Sequence, residues 1–255
     1  MKKVVHPEYA DHKSTIEHAI ANFNEIGQRV GRGKRNTLKR IVMDDWSINV
    51  KAFKLPDPFK SFIYRYLRQS KARRSYEYAL RLISKGIGTP HPIAYIEERQ
   101  MSGLGRSFYV CEHIDDAITI RTITENPAYP EREKILRQFA AFTLKLHSEQ
   151  ILFLDHARGN TLIKKKANGD YSFYLVDLNR MKFNASMGFE RRMKNFARLT
   201  VSDEMLAVIS DEYAKLAGME PENAFERMTY HSHKNFRRIA RQKRHHKRFG
   251  QYKQA

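Results

Sequence analysis

The pair Asn168-Gly169 lies between TLIKK at 161–165 and YSFYLVD at 171–177. Asparagine and glycine tolerate a tight reversal of the backbone, and both flanks are rich in strand-forming residues, so the segment reads as a β-hairpin. A hairpin returns its last residue close to its first. Asn160 at the entry and Asp177 at the exit are therefore expected as near neighbours. A second acid, Asp155, stands five residues before Asn160 in LFLDHARGNTLI. Two carboxylates and an amide form the hard oxygen set that holds Mg²⁺ beside a phosphate. Taken singly, Asp155 also suits a loop acid capping a turn and Asn160 an Asx turn.

The rest of the chain divides by periodicity. STIEHAIANFNEI at 14–26 reads as a helix capped by Ser14 or Thr15, with Glu17 close to the capping-box position. VMDDWSINVKAF reads as a hairpin that turns at Asp44-Asp45 and alternates through Trp46, Ile48, Val50 and Ala52, with Pro56 and Pro58 ending the strand. SKARRSYEYALRLISKG suits a helix capped by Ser70 and stopped at Gly86. Two further strands, GTPHPIAYIEER and GRSFYVCEHI, flank a turn at Ser102 to Gly105. From Pro130 the period becomes helical, with Ile135, Phe139, Phe142 and Leu146 on one face, and further helices follow from about Glu190 to the end.

Composition adds a partner class. With 255 residues, 41% of them hydrophobic, the chain can bury the core of one large or two small domains. No apolar run is long enough to span a membrane, and MKKVVHPEYADHK lacks a signal-peptide core, so a cytoplasmic location is expected. The lone Cys111 excludes an internal disulfide and reads as a small core residue. Lys and Arg number 47 against 28 acids, a net charge of +19, and the excess is clustered at Arg29–Arg40, Lys60–Arg74 and Arg227–Ala255. Such fields attract polyanions: nucleotide phosphates, an anionic inner-membrane face contacted peripherally, or nucleic acid as the weaker alternative. A plain solubilising tail is the neutral reading. His231, His233, His245 and His246 lack the acidic or thiol company of a full metal set.

LKLHSEQILFLDHARGNTLI resembles the catalytic-loop region of the eukaryotic-type protein kinase superfamily: a Leu-His ends a helix, an Asp follows eight residues on, and an Asn five after that. VDLNR resembles the magnesium-binding position usually written D-F-G. VKAFK, SKARRSYEYALRLISKGIGTPHPIAYIE and DLNR are similar to the bacterial lipopolysaccharide core kinases, the Kdo/heptose kinase family. The resemblance covers roughly residues 30 to 200. It implies an α+β, bilobal protein-kinase-like fold: a small β-rich nucleotide-binding lobe over 1–112 and a larger, mostly helical catalytic lobe over 113–255, with the basic tail from about 227. It implies ATP and Mg²⁺ as cofactors and transfer of the γ-phosphoryl group to a lipopolysaccharide sugar hydroxyl, Kdo or heptose.

Carried over residue by residue, Lys51 would contact the α/β-phosphates and pair with Glu77. Asp155 would orient the acceptor hydroxyl and take its proton, and Asn160 and Asp177 would hold Mg²⁺. Cys111 to Ile114 would form the hinge, with main-chain groups of Glu112, His113 and Ile114 against adenine. Lys54 is a rival to Lys51, and Arg73 or Arg81 rival partners for Glu77. Three departures stand out: Phe153 replaces the family's His two residues before the catalytic Asp, Gly31-Arg32-Gly33 is only a fragment of a glycine-rich turn, and Leu178-Asn179 replaces Phe-Gly. The alternatives are a protein-hydroxyl kinase and a non-catalytic kinase-like or RNA-binding protein. The sequence leaves the oligomeric state open.

Overall fold

The computed structural model describes residues 1–31, 36–44, 46–55, 69–100, 103–199 and 201–250. Arg32, Gly33, Lys34 and Arg35 of the glycine-rich fragment, Asp45, Pro56, Pro58, Ser102 and the last five residues lie outside them. The described chain forms two compact units, Met1–Asp116 with Val176–Asn179, and Ala117–Leu175 with Arg180–Ala255.

The first unit is built on an antiparallel sheet in the order β1-β5-β6-β4-β3-β2. Its strands are β1 (Lys2–Val5), β2 (Gln28–Arg29), β3 (Asn36–Val42), β4 (Ser47–Phe53), β5 (Pro92–Gln100) and β6 (Gly103–Glu112). Because side chains alternate across a strand, parity decides what each face carries. Ile48 and Val50 of β4, Phe108 and Val110 of β6 and Ala94 and Ile96 of β5 pack with Ile16, Ile20 and Phe23. The opposite parity places Phe53, Tyr95, Tyr109 and Cys111 with Ala72 and Tyr76. Lys51 is odd in β4 and stands opposite Tyr109. Its place on the Tyr109 face therefore follows from register.

Two helices cover these faces. Helix α1 spans Lys13–Ala21 and begins one residue before the expected caps: its N-cap is His12, and Glu17 pairs with Lys3 at 2.6 Å rather than closing a capping box. A 3₁₀ turn, Pro7–His12, runs straight into it, so the entry is set by the preceding turn. Helix α2, Lys71–Ser84, starts as its sequence dictates, with the Ser70 hydroxyl accepting from the Arg73 N–H at 3.0 Å. It stops at Gly86, whose φ of +65° suits a residue without a side chain.

The second unit comprises β7 (Ile118–Thr119), α3 (Ile120–Glu125), α4 (Arg132–Ser148), β8 (Leu152–Phe153), β9 (Thr161–Lys165), β10 (Tyr171–Leu175), β11 (Met181–Lys182), α5 (Phe189–Asn195), α6 (Asp203–Ala217) and α7 (Pro221–Gly250). The apolar stripe of α4, with Phe139 at its centre, packs on Phe173 and against Phe196, Ile209, Tyr213 and Met228. The predicted hairpin forms, with Thr161 opposite Leu175. Gly169 takes φ +84° and the Asn168 Oδ1 accepts from the Asp170 N–H at 3.0 Å, so the Asn-Gly pair closes a loop centred on 167–169.

The Ser70 cap is testable. Ser70→Ala should cost about 1 kcal/mol of stability. Urea unfolding would register this as a lower midpoint at unchanged slope, and an unmoved midpoint would refute a capping role.

Candidate active site

In the first unit the Lys51 ammonium donates to Asp177 Oδ1 at 2.6 Å across 126 residues of sequence. Lys51, rather than Lys54, is thus the strand lysine that meets this acid. The Asn179 amide donates to the same oxygen at 2.6 Å. Asp177 sits at φ +60°, in the left-handed region that Asp adopts more readily than most residues. Both bonds fall on Oδ1, and Oδ2 takes no hydrogen bond among the described residues. Arg74, a buried residue of α2, donates from Nη1 to the Asn179 carbonyl at 2.9 Å.

The expected Lys51–Glu77 pair is not formed. Glu77 Oε1 accepts from Arg73 Nε at 2.7 Å, the helical i,i+4 contact. A partner one turn away on the same helix face needs little rearrangement to reach, whereas Lys51 is engaged by Asp177. In the Cys111–Ile114 segment, the Cys111 thiol is buried and pushed up to about 12 by that burial. The Glu112 N–H donates to the His91 carbonyl and the His113 N–H to the Ser47 carbonyl, each at 2.9 Å. Ile114 is left as the N–H of this segment with no internal acceptor among the described residues. The Glu112 side chain accepts from the Tyr9 hydroxyl at 2.7 Å.

In the second unit Asp155 is buried, and its two oxygens face two guanidiniums: Arg198 at 2.9 Å from Oδ1 and Arg180 at 3.0 Å from Oδ2. Asn160 donates its amide N–H to the Asp155 carbonyl at 2.9 Å, which closes the loop. This bond fixes the amide orientation, and Oδ1 takes no hydrogen bond among the described residues. Asn160 and Asp177 thus each keep an unused hard oxygen, the donor chemistry that Mg²⁺ selects.

The Phe153 substitution has a structural answer. Phe153 is fully buried, and its carbonyl accepts from Asn195 Nδ2 at 2.9 Å. Asn195 Oδ1 lies 3.0 Å from His147 Nε2, and His147 Nδ1 lies 2.8 Å from the Tyr213 hydroxyl. The loop is therefore braced through the backbone of residue 153, and its side chain is free to be apolar. His147 is thus a satisfied structural histidine. His156 packs between Phe139, Phe153 and Phe196, and neither ring nitrogen meets hydrogen-bond geometry with a partner among the described residues.

Sequence reading missed Asn195, Arg198 and Arg74. Asn195 carried a signal, an amide on the apolar face between Met193 and Phe196. Arg198 and Arg74 carried none, being cations among many. His231 and His233 each face a separate carboxylate, Glu190 at 2.9 Å and Asp203 at 3.0 Å.

The sequence pattern of the lipopolysaccharide kinase (Kdo/WaaP) family matches residues 57–218, more than half of the chain. The chain belongs to this family. Among solved structures it is similar to one described as WaaP in complex with acyl carrier protein, with a TM-score of 0.64 and 16% identity, covering 93% of this chain and 99% of that one. The likeness establishes a WaaP-like, kinase-like α+β fold, with an N-terminal β-sheet and a helical C-terminal part. No curated protein matches the sequence. Among the described residues of this kinase-family chain, no helix is long and apolar enough to cross a membrane.

The buried histidines fix a pH dependence. Burial holds His147 down to about 4 and His156 down to about 3, against 6.5 in an unfolded chain. Between those values the unfolded state binds more protons than the folded one. Stability is therefore full above about pH 6.5 and falls as the pH drops toward 4 and then 3, by up to about 1.4 kcal/mol per pH unit for each group. Denaturant midpoints measured from pH 7.5 to 4.5 should show this decline, and His156→Phe should reduce its slope by about half, leaving the His147 contribution. A wild-type midpoint unchanged across that range would contradict the assignment.

Proposed function

We propose that the protein is an ATP-dependent kinase that transfers the γ-phosphoryl group to a sugar hydroxyl, Kdo or heptose, of a lipopolysaccharide core. The observation that carries this reading is the Lys51–Asp177 contact, which joins a strand lysine to the acid of the DLN motif in a chain of this family.

In this reading Lys51 holds the α/β-phosphates through its ammonium, and Ile114 offers adenine the hinge N–H that the fold leaves unused. Asn160 and Asp177 would each offer an oxygen to Mg²⁺, which would supply charge neutralisation on the phosphates. Asp155 accepts the proton of the attacking hydroxyl at a carboxylate oxygen, and Arg180 and Arg198 keep that carboxylate oriented. Glu77, held by Arg73, takes no part. The basic segments favour an anionic acceptor and peripheral contact with an anionic membrane face. Because WaaP is described in complex with acyl carrier protein, a carrier protein is a candidate partner as well.

Phosphoryl transfer from γ-labelled ATP to purified lipopolysaccharide is the direct test. Asp155→Asn should lower kcat about 10²–10⁴-fold, the range for loss of a positioned general base. Asp177→Ala should abolish Mg²⁺-dependent nucleotide binding, read by calorimetry. Transfer unaffected by both changes would sink the assignment of roles. Label appearing on added protein instead of glycolipid would move the acceptor to the protein-kinase alternative. Salt-sensitive RNA binding without any Mg·ATP binding would favour the non-catalytic one.

A further inference from the structure

The second unit carries an open cavity of about 1530 Å³. That exceeds the roughly 300–1,000 Å³ of a drug-sized ligand site and suits an extended one. One bank is α5, with Arg191 and Lys194. The other is α7, with Lys234, Arg237, Arg238 and Arg241. Positions 234, 237, 238 and 241 follow the i, i+3, i+4, i+7 rule, so they form one stripe about 10 Å long. None of these six cations meets a carboxylate among the described residues. Arg191 donates to the Ser186 carbonyl and Arg238 to the Asn235 side chain. The acid on the lining, Glu190, is already engaged by Arg227 at 2.6 Å and His231 at 2.9 Å.

Two further features give the groove a direction. Leu154 and Phe189, both more than a third exposed, line it beside Tyr230. Arg198 also lines it and reaches Asp155 Oδ1 at 2.9 Å. Arg198 thus links the groove wall to the carboxylate that would receive the acceptor's proton. A solubilising tail would spread its charges around the helix, and a flat membrane face would not enter a concave site with cations on two banks.

We propose that this groove is the acceptor site, and that it selects a glycan carrying carboxylate or phosphate groups, clasped between Arg191 and Lys194 on one bank and Lys234, Arg237, Arg238 and Arg241 on the other. Sugar ring faces lie on Leu154 and Phe189, and one hydroxyl is presented to Asp155. The proposal rests on the kinase reading for its catalytic consequence, while binding itself is measured separately.

The test uses the full-length protein and three probes: deacylated lipopolysaccharide core oligosaccharide with its carboxylates and phosphates, phosphatidylglycerol vesicles, and poly(U) RNA. Arg237→Ala/Arg241→Ala should weaken oligosaccharide binding about tenfold and raise its KM in proportion, with kcat and the KM for ATP unchanged. Arg237→Lys/Arg241→Lys should recover most of the affinity. Lys13→Ala/Lys215→Ala, which removes the same charge from exposed positions elsewhere, should bind as wild type. Oligosaccharide that has been dephosphorylated and carboxyl-reduced should bind wild type as weakly as intact oligosaccharide binds the alanine variant.

Equal binding of intact oligosaccharide by wild type and the alanine variant overturns the proposal, as does no binding by wild type. A loss seen only with vesicles or only with RNA overturns it in favour of that surface. Should oligosaccharide binding fall as expected while wild type transfers no phosphoryl group, the groove stands and the kinase reading falls.

Discussion

Both ends of the Asn195 amide are spent on buried partners, the Phe153 carbonyl at 2.9 Å and the His147 ring at 3.0 Å. These residues come from β8, α4 and the end of α5, so a single side chain ties the start of the Asp155 loop to the core. Removing it would leave a carbonyl and an imidazole nitrogen buried without partners, at about 1–3 kcal/mol each. Tyr213 closes the other side of His147 at 2.8 Å, so α6 enters the same network. Asp155 and Asn160 follow just beyond that anchor along the chain, where Asp155 meets Arg180 and Arg198 and Asn160 bonds back to the Asp155 carbonyl.

The two acids central to the proposed chemistry are treated alike by their surroundings. Asp177 meets Lys51 and the Asn179 amide, and Asp155 meets Arg180 and Arg198. Ion pairs on carboxylates this far withdrawn from water mainly offset desolvation, so stability alone gives little reason to collect cations here. Orientation gives a better one. A carboxylate held at a fixed angle can meet an incoming hydroxyl or cation without first being ordered. Strand parity serves the same end: once Val50 is committed to the core with α1, Lys51 must project from the opposite face, whatever its own preferences.

How much of this was legible depended on the range of the signal. Elements whose cause is local were readable: the Asn168-Gly169 hairpin, the Ser70 cap, the Gly86 stop and the α4 stripe each rest on residues within a turn or two. The start of α1 was misplaced because the 3₁₀ turn before it supplies no sequence signal as strong as Ser14 or Thr15. Lys51, Asp155, Asn160 and Asp177 could be named as candidates from their order along the chain, and the structure joins Lys51 to Asp177 and Asn160 to the Asp155 carbonyl. The Lys51–Glu77 pair was not realised, since Arg73 competes locally for Glu77, and a sequence cannot weigh an i,i+4 partner against a distant one. Asn195 braces a carbonyl 42 residues away, and side-chain patterns carry no trace of which backbone group will need a donor.

Helix α7 shows why the basic charge is better read as directed than as diffuse. Its first turns are anchored by Ala224, Met228 and Ser232, buried at i, i+4 and i+8, and by the Asn235 amide on the Ala197 carbonyl at 2.9 Å. Past that anchor the cations stack at 234 and 238 and at 237 and 241, pairs of like charge four apart that each cost a helix a few tenths of a kcal/mol. Solubility needs no such stacking, and an even spread around the exposed turns would avoid its cost. A stripe of cations facing a second bank on α5 is offset only by something anionic lying between them, so the charge pattern makes sense as one half of a complex.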